Sequence, residues 1–247
     1  MDTMSTTRTN APTLTAVPGT LCAPTIFRRL AAGLTGRMTI DPIDWLHSAG
    51  PWNIAAVADS IAAHIRADGG RPMLVIGHST GGAIALQLAA TSPSLVAGLL
   101  VVNSGAHMRG HGDVDATLKT IATAWGPALQ AAVLDRSFAT PPTDDDRAEL
   151  LRYAATVSQE ATLDVLRSQR DLDLTPLLPA ISCPVTILHG IRDKVRTPDY
   201  ARELAAAIPD SVLRFVDTGH SPVYEDADTV AAEVLALAVR AGVKPGP

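Results

Sequence analysis

Two hydrophobic rhythms alternate along this chain. Short, nearly continuous apolar runs have the pattern of strands buried on both faces. Apolar positions three or four residues apart have the pattern of one-sided helices. Runs of the first kind fall at 13–17, 38–43, 73–76, 97–102, 184–188 and 212–216. Helical spacing falls at 27–34, 54–66, 81–90, 198–207 and 226–239. Pro18-Gly19 stops the first run, and Pro42 weakens the end of the second. Asn53 stands where the 54–66 helix needs an N-cap, and Gly69-Gly70 follow it. The alternation predicts an α/β fold, with a mostly parallel central sheet flanked by crossover helices.

Between 102 and 184 the rhythm changes. Residues 107–180 contain no convincing strand, and Gly126-Pro127 and Pro141-Pro142 divide them into helical pieces. Thr143 followed by Asp144, Asp145 and Asp146 makes a helix start, because acidic side chains favour the positive end of the helix dipole. Leu150, Leu151, Ala154 and Val157 then supply an apolar stripe. A plain crossover needs only about a dozen residues. The segment is therefore read as a helical cap, 107–180, inserted into an α/β core formed by 11–106 and 181–243. The alternative is a set of ordinary crossover helices beside the sheet. Residues 1–10 are polar and Thr-rich, are expected to be disordered, and lack the apolar stretch of a secretory signal.

Composition narrows the partners. The 247 residues suffice for one such domain with a sizeable core. Hydrophobic residues make up 47% and aromatics only 4%, so the core must come mainly from Ala, Leu, Val and Ile. A net charge of −5 and the lack of a Lys/Arg cluster speak against nucleic acid. No apolar run approaches a membrane span. The expectation is a soluble cytoplasmic protein, monomer or homodimer, acting on a small molecule without nucleic-acid or membrane partners. Cys22 and Cys183 are expected to be buried free thiols rather than a disulfide.

The most informative stretch is Gly77-His78-Ser79-Thr80-Gly81-Gly82, a Gly-x-Ser-x-Gly set between a strand and a helix. A nucleophile projecting from a sharp turn needs small neighbours two residues away on either side, which Gly77 and Gly81 supply. A serine also needs a base. Of seven histidines, His220 lies directly after the last strand and before the last helix, where an open α/β sheet gathers its site. His78 is adjacent to Ser79, so its side chain should point away from the nucleophile. It is read as a packed turn histidine. The base needs a carboxylate to orient it. Asp193, in His189-Gly190-Ile191-Arg192-Asp193, follows the 184–188 strand and reaches the same sheet edge. The bland reading of Asp193 is a capping or salt-bridging residue beside Arg192 and Lys194. No metal-ligand spacing such as His-x-x-Glu-His or Cys-x-x-Cys occurs, and no metal or organic cofactor is expected.

Three stretches, 77–82, His-Gly-Ile-Arg-Asp at 189–193 and Thr-Gly-His-Ser-Pro at 218–222, resemble the α/β-hydrolase superfamily. The resemblance covers essentially the whole chain after residue 11, and the order Ser, Asp, His is the one that fold uses. It implies catalytic roles for Ser79, Asp193 and His220. It also implies an oxyanion donor in the turn after the first strand, here Val17-Pro18-Gly19-Thr20-Leu21. By position the donors are the backbone N–H groups of Thr20 and Thr80, with Leu21 as the alternative to Thr20. Two features depart from the family. Its first two strands are expected to be absent, and the loop after the 38–43 strand carries Trp45, His47 and Trp52 instead of the usual Gly-rich sequence. Leu21, Trp45, His47, Trp52 and His107 are the candidate pocket residues, the two tryptophans equally readable as packing groups. The resemblance implies an acyl-enzyme hydrolase of a carboxylic ester, lactone or thioester, with a compact, neutral, mostly apolar substrate. Two alternatives are a carbon–carbon bond hydrolase of a β-diketone using the same residues and a non-catalytic ligand-binding receptor.

Overall fold

A computed structural model of the protein describes residues 11–247, and the expectation for 1–10 lies outside the described residues. Six strands form one sheet: β1 Thr13–Val17, β2 Thr39–Pro42, β3 Met73–His78, β4 Val96–Val102, β5 Val185–Gly190 and β6 Ser211–Val216. Their order is β2-β1-β3-β4-β5-β6, and all five pairings are parallel. β2 is an edge strand, which tolerates Pro42 at its end.

The helices are α1 Arg28–Gly33, α2 Ile54–Ala67, α3 Thr80–Thr91, α4 Val114–Thr123, α5 Pro127–Arg136, α6 Asp144–Thr156, α7 Gln159–Asp171, α8 Pro198–Ala207, α9 Pro222–Glu225 and α10 Ala227–Arg240. Side chains alternate along each strand. Val75, Leu99, Val101 and Ile187 pack with α2, α3 and α8 on one face. Leu74, Ile76, Leu100, Val102 and Leu188 pack with α1 and α10 on the other. Burial on both faces explains why the central strands read as continuous apolar runs. Helix α3 is buried nearly all round, which its Ala- and Leu-rich sequence permits.

Residues between β4 and β5 form α4 to α7. The chain leaves and rejoins the core side by side. His107 bridges Asp173, and the Leu174 N–H donates to the Ala106 carbonyl at 2.8 Å. Asp113, Thr143 and Ser158 cap α4, α6 and α7 with side-chain oxygens. Each such cap is worth about 1 kcal/mol. The segment is tied to α1 by Arg28–Glu149 and Arg29–Asp146 ion pairs, and Tyr224 donates its hydroxyl to Asp146 at 2.6 Å.

Going from β1 to β2 and then β3, the chain crosses back over β1, so the strand order reverses beside β1. Such a switch point leaves a crevice at the carboxyl ends of the strands, where open α/β sheets bind ligands. The loops after β1, β3, β4, β5 and β6 meet there. Among the described residues, the three non-glycine residues with positive φ all lie in these loops: Leu21, Ser79 and Asn103. No helix among the described residues is long and apolar enough to cross a membrane.

Candidate active site

β3 ends at His78 and α3 begins at Thr80, leaving Ser79 alone at the turn. Its backbone sits at φ 56° and ψ −122°, a conformation that L side chains rarely adopt. The flanking glycines make this turn sterically feasible. A Cβ on Gly77 would collide with the Gly81 carbonyl and lie 2.7 Å from Gly82 Cα. A Cβ on Gly81 would strike the backbone of Val17 and Pro18 at the end of β1.

Three side chains then meet in a line. Ser79 Oγ lies 2.8 Å from His220 Nε2, and His220 Nδ1 lies 2.7 Å from Asp193 Oδ2. An ionised carboxylate only accepts, so Nδ1 carries the proton and Nε2 is left free to accept from the Ser79 hydroxyl. The Asp193 side chain is fully buried. Burial alone would raise its pKa. The His220 ring, the Asn103 amide and the Val195 N–H outweigh burial and hold the carboxyl well below the usual carboxylate range. Four donors converge on it. Val195 and Arg196 N–H groups reach Oδ1 at 2.6 and 3.0 Å, and Asn103 Nδ2 reaches Oδ2 at 2.7 Å, beside His220. The same Asn103 amide bonds the Gly219 carbonyl and the Gly190 N–H, so it joins the loops after β4, β5 and β6.

The other titratable neighbours are engaged elsewhere. His78 donates from Nε2 to the His220 carbonyl at 2.8 Å. Burial and the nearby His220 lower its pKa to about 3, which keeps it neutral. His189 faces the Arg196 carbonyl. Arg192 pairs with the exposed Asp217 at 2.8 Å, not with Asp193.

Opposite Ser79, the Cys22 N–H closes a turn onto the Gly19 carbonyl at 3.2 Å, with Leu21 at φ 59°. A Cβ on Gly19 would lie 2.9 Å from Ser79 Cβ, so the turn abuts the serine. The Thr20 hydroxyl donates to Thr80 Oγ1 at 2.9 Å, and Thr80 donates to Gln169 Oε1 of α7 at 3.1 Å. The Thr80 N–H opens α3, where backbone donors lack intrahelical acceptors and negative charge is favoured.

A cavity of about 500 Å³ opens above Ser79. Its floor is Ser79, His220 and the 19–22 turn, and its walls include Leu118, Ile121, Val133 and Leu166 of α4, α5 and α7. Leu21 lines it, but four other candidate pocket residues do not. Trp45 is buried beneath the β1 turn and donates to the Pro18 carbonyl at 3.0 Å. Trp52 packs against the α2 side of the core. His47 is held by Asp44 and by Thr156 of α6 on the outside. His107 pairs with Glu203 of α8 at 2.8 Å and lines a separate, smaller hollow. In each case a partner on the core or outer surface draws the side chain away. Cys22 is only half-buried, because it lines the cavity, whereas Cys183 is buried; both are free thiols.

Sequence reading missed Asn103, Gln169 and Arg196. Asn103 had a usable signal, a polar residue directly after a buried strand. Gln169 and Arg196 had none, since each looks like a solvated helix or loop residue.

The profile of the alpha/beta hydrolase family matches residues 16–233. A pimeloyl-[acyl-carrier protein] methyl ester esterase of Chromobacterium violaceum is 27% identical over 216 residues, covering 80% of this chain and 82% of the relative. A hydrolase from Pseudomonas aeruginosa superimposes with a TM-score of 0.83 at 20% identity, covering 92% of this chain and 89% of that one. The enol-lactonase from Burkholderia xenovorans gives 0.80 at 21% identity, covering 93% and 92%. The match spans most of the chain, and this chain belongs to the alpha/beta hydrolase family.

Proposed function

We propose that this enzyme hydrolyses a carboxylic ester or lactone through an acyl-enzyme on Ser79. The observation that carries the reading is the Ser79–His220–Asp193 line, with both contacts at hydrogen-bond distance. His220 takes the Ser79 proton as Oγ attacks the carbonyl, and Asp193 holds the ring in the tautomer that allows it. The Thr80 N–H and that of Thr20 or Leu21 stabilise the oxyanion, each donor worth about 3 kcal/mol. His220 then protonates the leaving group, and a water deprotonated by the same ring releases the acid. The esterase and the lactonase among its relatives support this choice of bond.

The segment 107–180 acts as a lid. The paired strands of chain at its base and its apolar lining of the cavity support that role. Stopped-flow hydrolysis of a p-nitrophenyl ester tests the reading. A burst of p-nitrophenol proportional to enzyme supports it. Turnover that survives in Ser79→Ala overturns it.

A further inference from the structure

The cavity above Ser79 is electrostatically one-sided. The chain has 25 Asp and Glu against 20 Lys and Arg. Yet the cavity is lined by Arg136, Lys194 and Arg196 and by no acidic residue. Arg136 and Lys194 are exposed at its rim and make no ion pair among the described residues. Arg196 differs. It is 4% exposed, the one buried Lys or Arg among the described residues.

A buried guanidinium usually has a carboxylate partner, because an unpaired charge out of water is costly. Arg196 has none within ion-pair distance among the described residues. Its contacts are a long 3.4 Å bond to the His107 carbonyl, the Met108 sulfur at 3.1 Å and the Tyr200 ring 5.0 Å away. A carbonyl, a thioether and a ring face leave most of the five N–H donors weakly served. Position adds to this. The Arg196 N–H holds Asp193, so the residue is fixed to the catalytic loop rather than to a mobile surface. His111 shares the wall. Its burial, and then the charge of Arg196, lower its pKa to about 4, so it adds no competing positive charge at neutral pH.

We infer that the substrate carries a carboxylate besides the scissile ester, and that Arg196 receives it. The inference rests on the hydrolase reading above and sharpens its substrate class to half-esters or lactones of dicarboxylic acids. A carboxylate matches the planar fork of a guanidinium. Its single negative charge neutralises the single buried cation, whereas a dianionic phosphate would leave an excess charge in the wall. Arg136 and Lys194 at the rim attract the anion before it binds. The inference departs from the expectation of a neutral, compact substrate.

The test uses p-nitrophenyl half-esters of succinic, glutaric and adipic acids, each beside its methyl-capped diester of equal length. Active sites are counted with a fluorophosphonate. Wild type is expected to prefer at least one half-ester over its capped partner by roughly tenfold or more in kcat/KM, mainly through KM. Arg196→Gln should bring that ratio to about one, and Arg196→Lys should restore part of it. Equal wild-type rates for every pair would overturn the inference. So would an Arg196→Gln variant that loses both substrates in proportion, which would mark Arg196 as a strut. Failure to react with the fluorophosphonate and with every ester would instead overturn the hydrolase reading itself, and the inference with it.

Discussion

The strand-end loops and the α4–α7 segment are built by different physics. In the loops, buried polar atoms hold one another at fixed distances. Asp193 alone accepts from two backbone N–H groups, an asparagine amide and a histidine ring. The segment is held by end caps, apolar stripes and exposed ion pairs such as Arg28–Glu149 and Arg147–Asp135. Exposed pairs of this kind contribute about 0–1 kcal/mol each. The loops can therefore fix reacting atoms tightly, while the segment can change its lining without disturbing them. On the proposed reading, chemistry belongs to the first region and the apolar part of substrate choice to the second, with Arg196 of the β5–α8 loop and Gln169 of α7 standing where they touch.

The largest effects should come from the loops. Ser79→Ala should lower kcat on the order of 10⁵–10⁶-fold with an unchanged fold. Asp193→Asn should lower it by about 10⁴-fold, because the His220 tautomer is no longer held. Near-full activity in Asp193→Asn would place the orienting acid elsewhere. Steady-state kinetics with circular dichroism as the folding control measure both.

Next comes Asn103, which donates to Asp193 and does not line the cavity. Asn103→Ala removes a hydrogen bond to a charged group, worth about 1.5–3 kcal/mol, so kcat should fall roughly ten- to hundredfold. KM should barely change. A rise in KM at constant kcat would show that Asn103 shapes the pocket instead.

The legibility of the sequence follows the same division. The first strand lies at 13–17 as its apolar run indicates, and helix α8 at 198–207 as its spacing indicates. Both carry hydrophobic patterns that tertiary contacts reinforce. Asn53 and Thr143 cap the helices expected of them, because a cap is a local hydrogen bond. The pocket lining was not legible. Trp45 and Trp52 carry the same residue type whether they face substrate or core, and only tertiary partners decide. Arg196 is likewise an unremarkable basic residue until its burial is known.

Smaller effects are expected from the segment. Ile121→Ala and Leu166→Ala, both at the cavity wall, should shift relative kcat/KM across a series of acyl lengths by up to about tenfold. The burst of Ser79 acylation should persist. Selectivity unchanged by every such substitution would make the segment a crossover rather than a lid.

The smallest effect concerns acid. Burial and the neighbouring His220 lower the His78 pKa to about 3, whereas in the unfolded chain it lies near 6.5. Between those values the unfolded state binds more protons. Stability should therefore fall as pH drops below about 6.5, by at most ~1.4 kcal/mol per pH unit from this residue. His78→Asn should flatten the dependence of urea midpoints between pH 7 and 5. An equally steep dependence in the variant would assign the acid sensitivity to other groups.

The central claim is that one serine forms the acyl-enzyme. A fluorophosphonate probe followed by peptide mass mapping tests it most directly. The expected result is stoichiometric labelling of Ser79, absent from Ser79→Ala and much slowed in Asp193→Asn. Labelling at Ser48 or Ser221 with Ser79 unmodified would contradict the account.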